Sequence, residues 1–268
     1  MRRVKKGVIP AAGLGTRLHP LTGGQPKEML PVGGRPMISY VVREATLSGL
    51  EELFIVINEQ KGSLRRWLES EEAREDLRTE GREVPSLRIT FVHQPTPSGS
   101  GDAIYRVREL VGEDTFALMM PDFIFFGSTP ALGQMIPIYQ RLERDTVGVL
   151  PLGAKEARGF GNVGIIEARQ MEPGVLEVEG ITGKLPGSLT LTEGKKVLKA
   201  VGRWILGPHF FSYLERTKGT GAEWDDTPAL QMICEHKGAV GKILEGRGFD
   251  VGNPLGYQAA EAFLKARP

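Results

Sequence analysis

Residues 8–32 read VIPAAGLGTRLHPLTGGQPKEMLPV. An apolar, β-rich run over residues 4–12 passes without a break into a loop with glycines at 13 and 15. Glycine has no Cβ, so the chain can turn sharply there and come close to a ligand. Successive N–H groups in such a loop, with a helix start behind them, cradle phosphate. Arg17 and Lys27 add positive charge beside it. The stretch is not a dinucleotide fingerprint, because the third glycine is missing. It is not a P-loop, because no Gly-Lys-Ser/Thr closes it.

Working outward, short apolar runs recur at residues 53–57, 87–93, 116–120 and 147–152. Between the first two strands, residues 36–50 place Met37, Ile38, Val41, Val42 and Ala45 near helical spacing, with Pro36 at the start. Residues 103–111 predict another helix. Strand–helix alternation over about 150 residues predicts an α/β, Rossmann-like fold, its central sheet mostly parallel with helices on both faces. After residue 160 the runs 163–167, 174–179, 188–192 and 199–206 predict a small antiparallel extension. Helices are expected near 227–237 and 255–265. Residues 61–88 are strongly charged and read as a solvated helix and loop, or as a partner surface. A single domain is expected, with a nucleotide-binding half at 1–155 and a sugar-binding half at 156–268.

The chain has 268 residues, 40% hydrophobic and 25% charged, with net charge +1. That balance fits a globular protein that buries a large core, and it argues against a whole-surface nucleic-acid binder. The single cysteine, Cys234, allows no internal disulfide and suits a cytoplasmic setting. No apolar run approaches a membrane span. The four histidines are scattered and form no credible triad.

Three further places carry chemistry. Gln94 ends a strand and precedes PTPSGSGDA, with Gly99 and Gly101. An amide offers a donor and an acceptor side by side, matching the edge of uracil or thymine. LMMPDFIFF puts Asp122 at the end of an apolar strand, beyond which ligands bind in open α/β sheets. GFDVGNPLGY supplies Asp250. Magnesium is satisfied by one or two carboxylates plus phosphates and water.

The Gly-x-Gly-Thr-Arg loop and Pro26-Lys27-Glu28-Met29-Leu30-Pro31 resemble the sugar-1-phosphate nucleotidyltransferases. Among these they closely resemble the bacterial UTP–glucose-1-phosphate uridylyltransferases and their relatives, the glucose-1-phosphate thymidylyltransferases. The resemblance runs from about residue 4 to 257 and implies a nucleotide-diphospho-sugar transferase fold. It implies triphosphate contacts at Ala11, Ala12, Gly13, Gly15 and Thr16, and phosphate contacts at Arg17 and Lys27. It further implies base reading by Gln94 and Gly99, and Mg²⁺ on Asp122 and Asp250. For the sugar 1-phosphate it implies Gly161 (in Phe160-Gly161-Asn162-Val163), Glu223 and Lys184. Val201-Gly202-Arg203-Trp204 matches the strand after the lysine segment.

Two departures stand out. Asp102 occupies a position where uridylyltransferases have histidine, so UTP and dTTP both stay open. Gly183 stands where the family has a sugar-binding glutamate, for which Glu179 is the nearest acidic substitute. The resemblance implies direct displacement by a hexose 1-phosphate at the α-phosphorus of UTP, giving UDP-glucose and pyrophosphate. A nucleotidyltransferase using dTTP or another triphosphate, or a non-catalytic nucleotide-sugar sensor, is the alternative. Homo-oligomers are common in the family, and residues 61–88 are a candidate interface.

Overall fold

The computed structural model describes residues 3–77, 87–183, 185, 187, 189–219 and 223–266. Its strands are β1 Lys6–Pro10, β2 Pro31–Val32, β3 Arg35–Pro36, β4 Glu52–Ile57, β5 Arg88–His93, β6 Phe116–Met119 and β7 Phe123–Phe126. They continue as β8 Thr146–Gly153, β9 Ile165–Glu172, β10 Val175–Ile181, β11 Lys196–Leu206, β12 Ala239–Ile243 and β13 Arg247–Asp250. Nine of them form one sheet in the order β5-β4-β1-β6-β11-β8-β12-β10-β9.

The sheet is mixed rather than mostly parallel. The β5–β4–β1–β6 half is parallel, as is β12 on β8. Strand β11 enters between β6 and β8 antiparallel to both, and β10 and β9 continue antiparallel at the far edge. β11 holds this central slot because most of its Ala200–Leu206 end is buried, Trp204, Ile205 and Leu206 almost fully. Such a slot depends on pairings far apart in sequence, which strand–helix alternation does not encode.

Both faces of the sheet are covered, so strands such as β4 and β6 are apolar toward both. Along β4, Leu53, Ile55 and Ile57 pack into one layer with the helices Met37–Leu47, Gly62–Leu68 and Ala131–Leu142. Phe54 and Val56 point the other way, among side chains of Ser100–Tyr105, Phe210–Arg216 and Thr227–His236. A third cluster of Leu18, Leu30, Val32, Met37, Ile124 and Val251 closes under the C-terminal helix Pro254–Lys265.

Three other expectations change. Residues 189–192 of the predicted strand 188–192 are not in a strand, and Ser188 lies outside the described residues. Residues 103–111 are split between two short helices, Ser100–Tyr105 and Arg108–Val111. In the charged stretch 61–88, Lys61 is not solvated. It is buried against Glu28, Nζ to Oε2 2.7 Å, with burial lowering its pKa against the pull of that carboxylate. Residues 78–86 of this stretch lie outside the described residues. Among the described residues no helix is long and apolar enough to cross a membrane.

Candidate active site

The site is built around a two-stranded ladder. β7 follows Asp122 directly, and β13 ends on Asp250. The two pair antiparallel with Phe123 opposite Asp250, and the Val251 N–H donates to the Asp122 carbonyl at 2.8 Å. Two carboxylates 128 positions apart in sequence thereby line one cleft. The approach is so close that a Cβ on Gly252 would lie 2.4 Å from Asp122 Oδ2, which explains the glycine. Asp250 is oriented by backbone: Oδ2 accepts from Gly161 N at 2.9 Å, and Oδ1 from Gly252 N at 3.1 Å. Asn253 caps the C-terminal helix by accepting from Gly256 N, and its amide holds the Gly159 and Asp250 carbonyls.

The glycine-rich loop faces these carboxylates. Ala11 and Ala12 are fully buried. Ala11 N–H bonds Val56 O, and Ala12 O accepts from Asn58 Nδ2, so the two tie the loop to β4 and to the residue that follows it rather than line the cleft. Gly13, Gly15, Thr16, Arg17 and Lys27 do line it. Lys27 Nζ lies 2.6 Å from Asp122 Oδ2. Burial opposes the charge on Lys27, but Asp122 and Glu28 outweigh it and its pKa is raised. Burial likewise opposes ionisation of Asp122, and Lys27, with help from Arg17, holds its carboxyl below the usual range. Asp250 moves the other way, raised by burial and then by the neighbouring Asp122 charge.

The cleft has two arms that share Thr16, Arg17, Met120 and Asp122 at their junction. The smaller, about 320 Å³, holds the loop glycines, Gln94 and Gly99. Gln94 is buried, and its Nε2 donates to Gly99 O at 3.1 Å and Asp102 Oδ2 at 2.7 Å. Burial works against ionisation of Asp102, but hydrogen bonds from Gln94, Ser98 and Arg106 keep its carboxyl below the ordinary range. An ionised carboxylate only accepts, so Asp102 locks the Gln94 amide with its nitrogen inward and leaves Oε1 for a ligand. Gly99 has φ of 120°, and a Cβ there would lie 2.2 Å from Trp224 O. The same tryptophan donates its backbone N–H to Ser98 O and accepts from Gly101 N, so residues 98–101 and 224 form one wall.

The larger arm, about 770 Å³, is lined by Phe160, Gly161, Asn162, Lys199, Val201 and Asp250, among others. Glu223 does not lie there: it lines the smaller arm with Gln94. Lys184 lies outside the described residues. A Cβ on Gly183 would lie 3.5 Å from the Gln231 amide, while Glu179 is exposed and paired with Arg169, so it does not stand in for the missing glutamate.

Two charged residues of β11, Lys199 and Arg203, stand at the cleft although the sequence assigns neither a role. Lys199 lines the larger arm from β11, and burial lowers its pKa to about 8 against the pull of Asp250 and Asp122. Arg203, fully buried, binds Glu44 with two nitrogens and donates to the carbonyls of Met120 at 2.9 Å and Phe123 at 2.8 Å, on either side of Asp122. A charged residue inside an otherwise apolar strand is the available signal for both. His209 is paired with Asp145 at 2.6 Å, away from the cleft.

Asp122 and Asp250 are the two carboxylates of this cleft that could hold a divalent cation. Two buried carboxylates, one raising the other's pKa, gain from a cation of hard-oxygen preference whose remaining shell is phosphate and water.

A family model described as nucleotidyl transferase matches residues 6–267. The chain belongs to the nucleotidyl transferase family. This nucleotidyl transferase is 33% identical to the UTP–glucose-1-phosphate uridylyltransferase YngB of Bacillus subtilis (strain 168), over 100% of its own length and 92% of the relative's. It is 32% identical to a second UTP–glucose-1-phosphate uridylyltransferase of that organism, over 96% and 89%. Among solved structures, a UDP-glucose pyrophosphorylase complexed with UDP-glucose superposes with TM-score 0.81 at 31% identity, covering 98% of this chain and 100% of that one. A UTP-bound UGPase from Acinetobacter baumannii superposes at TM-score 0.76 and 30% identity, covering 97% and 93%.

Proposed function

We propose that this nucleotidyl transferase makes UDP-glucose and pyrophosphate from UTP and glucose 1-phosphate. The observation that carries the reading is the meeting of Asp122 and Asp250 at a cleft whose two arms suit a nucleotide and a sugar phosphate. Its relatives are named for the same reaction, and the similar structures hold UTP and UDP-glucose.

UTP lies in the smaller arm, its phosphates against Gly13, Gly15, Arg17 and Lys27. Gln94 Oε1 accepts from the N3–H of uracil. Thymine carries the same N3–H and cytosine does not, so dTTP is the close competitor and CTP is rejected. Glucose 1-phosphate lies in the larger arm near Gly161, with Lys184 as a further cation. An oxygen of its phosphate attacks the α-phosphorus of UTP, and the bond to the bridging oxygen of pyrophosphate breaks. The nucleophile is already anionic, so neither a general base nor a protein nucleophile is needed. The barrier is mainly repulsion between polyanions, which positioning and fixed positive charge relieve. A divalent cation, Mg²⁺ on Asp122 and Asp250, supplies electrophilic activation of the phosphate when bound. Arg17 and Lys27 neutralise the departing pyrophosphate, and Arg203 holds the backbone on both sides of Asp122.

Pyrophosphate release with Mg²⁺, across a grid of nucleoside triphosphates and sugar 1-phosphates, tests the reading. UTP with glucose 1-phosphate is the expected best pair. A stronger signal with dTTP moves the assignment to thymidylyl transfer. Nucleotide binding without release across the whole grid overturns the enzyme reading in favour of a sensor.

A further inference from the structure

Lys199 is a buried cation that the reaction described above leaves unused. Only 6% of it is exposed, and it lines the larger arm with Gly161, Asn162 and Asp250. Its backbone is fixed in the middle of the sheet, in register with Leu150 of β8 on one side and Ile165 of β9 on the other. Its ammonium donates to the Ala200 carbonyl at 2.9 Å and lies 3.7 Å from where a Cβ on Gly164 would be.

Among the described residues, no carboxylate lies within 4.0 Å of that ammonium. The nearby acids are engaged elsewhere. Asp122 Oδ2 is against Lys27, and both oxygens of Asp250 accept backbone N–H groups. Lysine has three N–H donors, and only one is used by Ala200. An ammonium kept from water without an anion is costly, so such a group is arranged for an anion that arrives with a ligand.

The identity of that anion follows from position. The triphosphate loop, with Gly13, Gly15 and Lys27, lies on the smaller arm, whereas Lys199 lies only on the larger. The anion that the proposed reaction brings to the larger arm is the phosphate of the sugar. We infer that Lys199 binds the phosphate of the hexose 1-phosphate, holding the attacking oxygens beside the Asp122–Asp250 pair. The inference rests on the function proposed above. It adds a second, strand-borne cation to the sugar-phosphate site and makes that site less dependent on the Gly183–Lys184 segment.

The test uses Lys199→Met, which removes the charge while keeping the length, and Lys199→Arg, which keeps the charge. Steady-state kinetics with Mg²⁺ and calorimetric binding of UDP-glucose and UTP are measured on both. Losing a charged hydrogen bond predicts a rise of about tenfold to a hundredfold in KM for glucose 1-phosphate and in Kd for UDP-glucose. KM and Kd for UTP stay unchanged, and Lys199→Arg recovers part of the loss. If unaltered protein turns over and Lys199→Met keeps its KM for glucose 1-phosphate within about twofold, the inference fails and the proposed function stands. A parallel rise in both KM values with a lowered Tm in Lys199→Met, unrelieved in Lys199→Arg, marks a structural role and also overturns it. If unaltered protein neither releases pyrophosphate nor binds UDP-glucose, the proposed function falls and the inference falls with it.

Discussion

Replacing Arg203 by methionine removes a fully buried guanidinium that makes three contacts of 3.0–3.1 Å with Glu44. The same group donates to the carbonyls of Met120, Gly202 and Phe123. Among the described residues, Arg203→Met leaves the buried Glu44 with the Leu132 N–H as its one remaining hydrogen-bond donor, at 3.1 Å, and leaves three carbonyls without this donor. Breaking a buried ion pair from one side costs about 3–5 kcal/mol, a large part of a total stability of about 5–15 kcal/mol. Urea unfolding followed by circular dichroism reads this as a lower midpoint. Removing both charges is much cheaper than removing one, so Arg203→Met with Glu44→Met regains most of the lost stability. Activity does not return with it. The carbonyls of Met120 and Phe123, which bracket Asp122, still lack their donor, and a misplacement of about 1 Å at such a group costs about a hundredfold in rate. A single variant within about 0.5 kcal/mol of the parent, or a double variant with full kcat, refutes the reasoning.

Gly99→Ala forces a Cβ to within 2.2 Å of Trp224 O at φ of 120°. Strain of about 1–3 kcal/mol predicts a rise of roughly tenfold or more in KM for UTP, measured by steady-state kinetics. Glu177 is held below its ordinary pKa of 4.5 first by its hydrogen bond from Arg144, Nη1 to Oε2 2.9 Å. A depressed carboxyl stabilises the fold above its unfolded pKa and loses that contribution as pH falls through its folded pKa. Glu177→Gln therefore lowers stability by about 1 kcal/mol or less at pH 7, and in Tm measured against pH the difference from the parent starts to shrink near pH ~4.5 and vanishes only below the lower folded pKa. Burial pushes the Cys234 thiol up to about 12, so a thiol reagent at pH 8 finds nothing in the folded protein and one thiol per chain after denaturation.

What the sequence made legible was local. The strand that runs into Gly13 and Gly15, with Arg17 and Lys27 behind it, is one continuous string, and the cleft brings all four together with Asp122. Asp250 is different: its own neighbourhood spells a turn, and only the β7–β13 ladder places it beside Asp122. The position of β11 was illegible because both its neighbours are distant in sequence. The roles of its charged residues are hidden for the same reason. Lys199 faces the cleft and Arg203 grips the Asp122 turn because of where that strand lies. Glu223 reached the smaller arm through the backbone pairing of Trp224 with Ser98 and Gly101, which no periodicity announces. The helix Ala131–Leu142 carries Pro137 in its interior, where proline removes a hydrogen bond, so its sequence does not spell a helix plainly.

The most direct test of the central claim follows α-phosphate-labelled UTP in the presence of glucose 1-phosphate and Mg²⁺. Direct displacement predicts label in UDP-glucose with equimolar pyrophosphate, no label retained on the protein, and a fall of about a hundredfold or more for Asp122→Asn. Label on the protein, or near-normal turnover by Asp122→Asn, contradicts it.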